Sequence, residues 1–186
     1  MKTQLLLTGL GITTGLALVA WFARPQSFAG LLPAGVIPKP PKFAHKLSDE
    51  LWAAIQEVSG RIGADPYQLA EVINFESNGF NPQAVNPYSG ASGLIQFMPF
   101  TAAELGTTVE AIRRMSALEQ MPLVERYFKM KVGSRPLNTF QALTMSVFYP
   151  KYMDVDPHTL FPANVQASNP GIKTPQDYMN KVLAKS

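Results

Sequence analysis

The chain contains no cysteine. That excludes a disulfide framework and a thiolate metal site, and it says little about the compartment. Histidine is almost absent: only His45 and His158 occur, so a histidine-based zinc site is not expected. Charge is sparse and nearly balanced, with 16 Lys+Arg against 13 Asp+Glu. An excess that small gives no case for nucleic acid, though it suits an anionic wall or membrane surface. No run of alternating apolar and polar residues is long enough to predict a sheet. With 186 residues, the chain has room for one domain of ordinary size and an appendage.

No charged residue stands between Lys2 and Arg24. At about 1.5 Å per residue, residues 4–23 are long enough to cross a hydrocarbon core as a helix. Trp21 and Phe22 close the stretch, where interfacial aromatics belong. The expectation is a single membrane-spanning anchor over 1–24. A cleaved leader ending at Ser27-Phe28-Ala29 is the competing reading. Basic residues flank both sides, so the orientation stays open. Residues 25–46 carry Pro25, Pro33, Pro38, Pro40 and Pro41. They read either as a semi-rigid polyproline spacer, reaching roughly 60–70 Å, or as a tail along the domain surface.

From Leu47 the pattern turns helical, and residues 47–186 form the expected domain. Ser48 can cap a helix with Leu51, Trp52, Ile55 and Val58 on one face, ended by Gly60 and Gly63. Asp65-Pro66-x-Gln68 reads as a cap, a first-turn proline and a capping partner. That helix carries Leu69, Val72, Ile73 and then Glu76 on its buried side. Further helices follow over Thr101–Leu105 and Thr108–Met115, after a capping box at Ser116-x-x-Glu119, after Asn138, and after Thr174-Pro175-x-Asp177.

The segment after Glu76 is rich in turn formers: Gly79, Asn81, Pro82, Asn86, Pro87, Ser89, Gly90, Ser92 and Gly93. Ordered loops of this length inside a domain are usually functional. Phe75, Phe80, Ile95 and Phe97 give Glu76 apolar neighbours in the sequence, which should raise its pKa. The pole at the end of its helix acts the same way. A carboxyl still protonated near neutral pH can give its proton to a leaving oxygen. Glycoside cleavage usually needs a second carboxylate, and the next acid is Glu104. The plain alternative is a surface or capping glutamate followed by a structural loop.

The motifs Glu76-Ser77, Phe80-Asn81-Pro82-x-Ala84-x-Asn86-Pro87 and Ser89-Gly90-Ala91-Ser92-Gly93-Leu94-Ile95-Gln96-Phe97-Met98-Pro99-x-Thr101-Ala102 resemble the signature of the soluble-type lytic transglycosylases. These are lysozyme-like enzymes that cut peptidoglycan. The resemblance implies a mainly α, lysozyme-like domain with a cleft beside Glu76. Glu76 would be the sole catalytic acid and base, acting between N-acetylmuramic acid and N-acetylglucosamine. The sugar's own C6 hydroxyl would close a 1,6-anhydro ring, so no second acid is required. The resemblance also places Ser77, Asn86, Ser92, Gln96 and Met98 along the groove, and Tyr149 as the tyrosine facing Glu76. No cofactor and no metal are implied. Expected partners are glycan strands, a lipid bilayer through residues 4–23, and other virion or envelope proteins, but no nucleic acid. The Phe148-Tyr149-Pro150 ending, with Asn169-Pro170-Gly171 and Asp177-Tyr178, is similar to bacteriophage-particle variants and suggests wall opening during infection from a virion or inner membrane. A goose-type hydrolase, or a non-catalytic wall-binding virion protein, are the alternatives.

Overall fold

The computed structural model describes residues 37–185. The expected anchor at residues 4–23 lies outside the described residues. Among the described residues, no helix is long and apolar enough to cross a membrane. The domain is built from helices α1 (Asp49–Ile62), α2 (Pro66–Glu76), α3 (Pro99–Glu104), α4 (Val109–Ile112), α5 (Ala117–Val132), α6 (Phe140–Phe148), α7 (Ala163–Ser168) and α8 (Pro175–Ala184). Short 3-10 turns occupy Pro41–Phe43 and Pro150–Tyr152. There is no strand among the described residues. Two isolated antiparallel bridges, Val85 with Ser92 and Ser92 with Phe97, stiffen the loop between α2 and α3.

The helix starts follow the cap chemistry. Ser48 accepts from the Leu51 N–H, and Asp65 from the N–H groups of Tyr67 and Gln68. Ser116 with Glu119, and Thr174 with Asp177, form reciprocal capping boxes. Each such cap contributes about 1 kcal/mol by satisfying otherwise orphaned donors. Two expectations shift by local physics. Thr139, one residue later than Asn138, caps α6 by accepting from the Ala142 N–H. Gly60 lies inside α1, and the helix stops at Gly63, where φ of 71° suits a residue without a Cβ.

Helix α2 is the axis of the domain. Leu69, Ala70, Val72 and Ile73 are buried on it. It packs against α1, α6 and α8, while α1 and α5 form the most extensive helix pair. The last residue of α2 is Glu76, so the packing that buries the helix also sets where the carboxyl sits.

The proline-rich segment joins this packing from Pro38 onwards, where the compact unit begins. Phe43 and Leu47 are buried, and the Phe43 ring meets Phe80 edge-on at 5.2 Å. Lys39 pairs with Asp49 at 2.7 Å, and Lys42 pairs with the buried Glu71 of α2. Residues 38–46 therefore lie against the domain; a free spacer would leave Phe43 in water. Phe43→Ala should cost about 3–5 kcal/mol, because it empties a closed site between the tail and the loop. Chemical denaturation of the full chain measures this; a loss below about 1 kcal/mol would show that the tail does not hold the domain.

Candidate active site

The Glu76 carboxyl is surrounded by protein, although the residue is not fully closed to solvent. Its Oε1 accepts a 2.5 Å hydrogen bond from the Tyr178 hydroxyl. Burial dominates its titration and lifts the pKa from 4.5 to about 7. The Tyr178 hydrogen bond and the charges of Lys185 and Lys181 act in the opposite direction and only partly cancel it. No carboxylate is among the groups acting on Glu76. Near neutral pH this side chain is poised between acid and carboxylate, which suits a group that gives a proton and later takes one.

Tyr178 is held by its ring. It stacks on Phe148 of α6, with centroids 4.2 Å apart and planes 19° apart, and meets Phe75 edge-on at 5.6 Å. The capping box of α8 fixes the turn from which it projects. Burial and the nearby Glu76 push its hydroxyl pKa well up, so it stays a donor. Tyr127 of α5 is also buried and feels the charge of Glu76; its hydroxyl donates to the Ser146 carbonyl at 2.9 Å. The family resemblance implies Tyr149 as the tyrosine facing Glu76. The hydrogen bond comes instead from Tyr178, while the Tyr149 ring lies against Tyr152 and Phe161. The backbone explains this: α6 ends at Phe148, and Tyr149 at φ −153° turns away from the helix path.

The loop from Ser77 to Met98 folds around buried polar contacts. Ser77 is fully buried, and its hydroxyl donates to the Ile73 carbonyl at 2.6 Å. Ser92 is fully buried as well; it donates to the Gly90 carbonyl and accepts from Arg113 Nε at 2.9 Å. Both were expected along the groove. Their hydroxyls are instead committed to backbone and Arg113, and they shape the loop. Asn86 is exposed, and its side-chain oxygen caps the turn by accepting from the Tyr88 and Ser89 N–H groups. Gln96 sits in the left-handed region at φ 52°, its amide nitrogen 3.3 Å from the Gly93 carbonyl. Met98 is exposed, beside the still more exposed Phe100.

The central fastening is Gln120 of α5, which no sequence motif singles out. Fully buried, it donates to the Pro82 and Ile112 carbonyls at 2.7 and 3.0 Å, and its oxygen accepts from the Leu94 N–H at 2.9 Å. One side chain thus satisfies backbone groups on both limbs of the loop and on α4. The available signal was its position: Gln120 is the polar residue on the face that continues through Val124 and Tyr127. Among the described residues, no three His, Cys, Asp or Glu side chains come together as a metal site would need.

Residues 53–121 match the family model of the Transglycosylase SLT domain. Over that stretch the chain is similar to a lytic transglycosylase domain. The matched region runs from within α1 to the start of α5 and so contains Glu76, the loop and Gln120. The family matched there consists of enzymes, lyases acting on peptidoglycan. Comparisons with curated proteins and with solved structures give no match.

Two outcomes test this site. A Cβ at Gly93 would come 2.5 Å from the Gln120 oxygen and 2.8 Å from Ile112, at φ +81°. Gly93→Ala should therefore cost about 2–4 kcal/mol through overpacking and backbone strain, read by thermal or urea melts. A neutral Gly93→Ala would mean that the fastening yields easily. Tyr178→Phe keeps the ring packing and should change stability by only about 1 kcal/mol. It removes a contact that lowers the Glu76 pKa, so the alkaline limb of the kcat/KM profile should move above 7. An unmoved limb would detach Tyr178 from the titration.

Proposed function

We propose that the protein cuts the glycan strand between N-acetylmuramic acid and N-acetylglucosamine, with Glu76 as the sole acid and base, and leaves a 1,6-anhydro-muramic end. The observation that carries this is the state of Glu76: one enclosed carboxyl at a pKa of about 7, held by a tyrosine, with no carboxylate acting on it. The steps balance without a water molecule. The Glu76 proton passes to the glycosidic oxygen as the bond from C1 of the muramic ring breaks. The resulting carboxylate takes the C6 hydroxyl proton as that oxygen bonds to C1. Glu76 thereby returns to its acid form, and the Tyr178 hydroxyl steadies the carboxylate in between. The exposed Met98, together with Gln96 and Asn86, is assigned to the sugar-facing rim. Local wall opening from a membrane rests on the uncharged stretch 4–23, and a role in infection rests on the C-terminal sequence pattern alone.

Glu76→Gln is the test. It keeps the shape and an acceptor for Tyr178 and removes the transferable proton. Cleavage of purified sacculi should fall roughly 10²–10⁴-fold. Mass analysis of wild-type digests should show anhydro ends; reducing muramic ends as the main product would move the reaction to hydrolysis. Stability should change in a pH-dependent way. A carboxyl whose pKa rises from 4.5 to about 7 on folding binds more protons folded than unfolded between those values. The wild type therefore loses up to about 3 kcal/mol as pH climbs through that window, and the loss persists above it. Glu76→Gln should be clearly more stable than wild type at pH 8 and closer to it at pH 4. Equal melts at both pH values would contradict the enclosed carboxyl.

A further inference from the structure

Helix α8 brings more to Glu76 than the Tyr178 hydroxyl. Tyr178, Lys181 and Lys185 follow one another at steps of three and four, so they share one face of the helix. Lys185 is the cap residue of α8 and keeps a helical conformation. Its Nζ donates to the Phe75 carbonyl at 3.4 Å and stands 5.2 Å from the centre of the Phe75 ring. That ring meets Tyr178 edge-on at 5.6 Å. The Phe75 carbonyl belongs to the last turn of α2, where the negative pole of the helix lies. Lys185 thus lays a positive charge against the helix end that carries Glu76. Lys181 and Lys185 are both exposed, and neither forms an ion pair among the described residues.

The other surroundings of Glu76 supply no competing charge. Helix α6 has no charged side chain. Helix α5 contributes the neutral Tyr127. On α1, Asp49 is paired with Lys39, and Glu57 with Arg61; neither they nor Glu50 act on Glu76. From the proline-rich segment, Lys42 is paired with Glu71, and Lys46 does not act on Glu76. Between Ser77 and Met98 the only titratable side chain is Tyr88, which is 98% exposed. The charge acting on Glu76 therefore comes from α8, with Lys185 ahead of Lys181.

We propose that Lys185 and Lys181 are positioning residues for Glu76: they hold the end of α2 and favour the carboxylate that Glu76 becomes on giving up its proton, which makes the acid responsive to ionic strength. This rests on the reading of Glu76 as the acid and base. Because both ammonium groups lie in water, salt screens them, whereas the enclosed Tyr178 contact is not screened. Rising salt should thus return Glu76 toward its acid form and extend activity to higher pH. Lysines that only attracted an anionic strand would act through KM and leave the substrate-free carboxyl unaffected.

The test follows the Glu76 carboxyl by carbon-13 NMR in the substrate-free full chain, its signal assigned by its absence from Glu76→Gln. Raising salt from about 0.01 M to about 1 M shrinks the Debye length from about 30 Å to about 3 Å. The Glu76 midpoint should rise with it, a roughly two- to fivefold gain in proton affinity. The double variant Lys181→Gln with Lys185→Gln should show that gain already at low salt and respond little to more. The double variant Lys181→Arg with Lys185→Arg should behave as wild type. A midpoint that neither salt nor the glutamine variant moves overturns the inference and leaves the reaction standing. An arginine variant that behaves like the glutamine one overturns it too, since charge would not be the cause. Sacculus cleavage is read separately. If the midpoint moves as expected while the alkaline limb of kcat/KM stays fixed, the proposed role of Glu76 falls and the lysine effect stands.

Discussion

The hydrogen bond from Tyr178 to Glu76 spans 102 positions of sequence and is the contact on which the site depends. It is useful only because the carboxyl is enclosed. Enclosure raises the pKa, and the phenol keeps it from rising so far that the group could never act as a carboxylate. Each partner therefore needs a rigid support. Glu76 has the buried helix α2; Tyr178 has the stacked Phe148 and the capping box of α8. Among the described residues the arrangement is helical, consistent with a lysozyme-like domain, and it brings two helix termini far apart in sequence into hydrogen-bonding range.

Helix α2 buries two carboxylates by two different means. Glu71 is 7% exposed and is answered by Lys42, which arrives from the proline-rich segment. Removing one partner of such a pair is costly, because it strands the other charge. Among the described residues Glu76 has no ion-pair partner of that kind, and burial raises its pKa to about 7 instead. The difference separates structure from chemistry on one helix. A paired carboxylate fastens a tail, and an enclosed one without such a partner titrates where a catalyst can use it.

Much of this was legible in the sequence because it is local. Cap residues, first-turn prolines and apolar spacing are read within a few positions, and Ser48, Asp65, Ser116 and Thr174 act as their types dictate. The enclosure of Glu76 was legible because apolar residues surround a lone acid at the end of an apolar helix. What was not legible depends on distant packing. Nothing local tells Tyr178 from Tyr149, since both are aromatics near an end of a helix. Ser77 and Ser92 have the right types for a groove, and only the fold turns their hydroxyls inward. For Gln120 only its place on an apolar face is local; its partners Pro82, Leu94 and Ile112 come from three separate stretches.

The loop between α2 and α3 shows how such non-local constraints combine. Phe80 and Gln96 occupy the left-handed region, which non-glycine residues enter at a cost of roughly 1–3 kcal/mol. Those conformations persist only if the surroundings over-determine them. Gln120 and Arg113 supply that from α5 and the end of α4, and Phe43 supplies it from the tail by packing on Phe80. Gly93 is the point where the loop comes closest to Gln120, with no room for a side chain. The rim residues Asn86, Gln96 and Met98 inherit their positions from this fastening. In the proposed reaction, their geometry toward a sugar would be set by residues that never touch it. Replacing a rim residue alters one contact, whereas loosening Gln120 or Gly93 displaces the rim as a unit. If Glu76 is the acid and base as proposed, a substitution far from it can therefore reduce catalysis while Glu76 and Tyr178 keep their hydrogen bond.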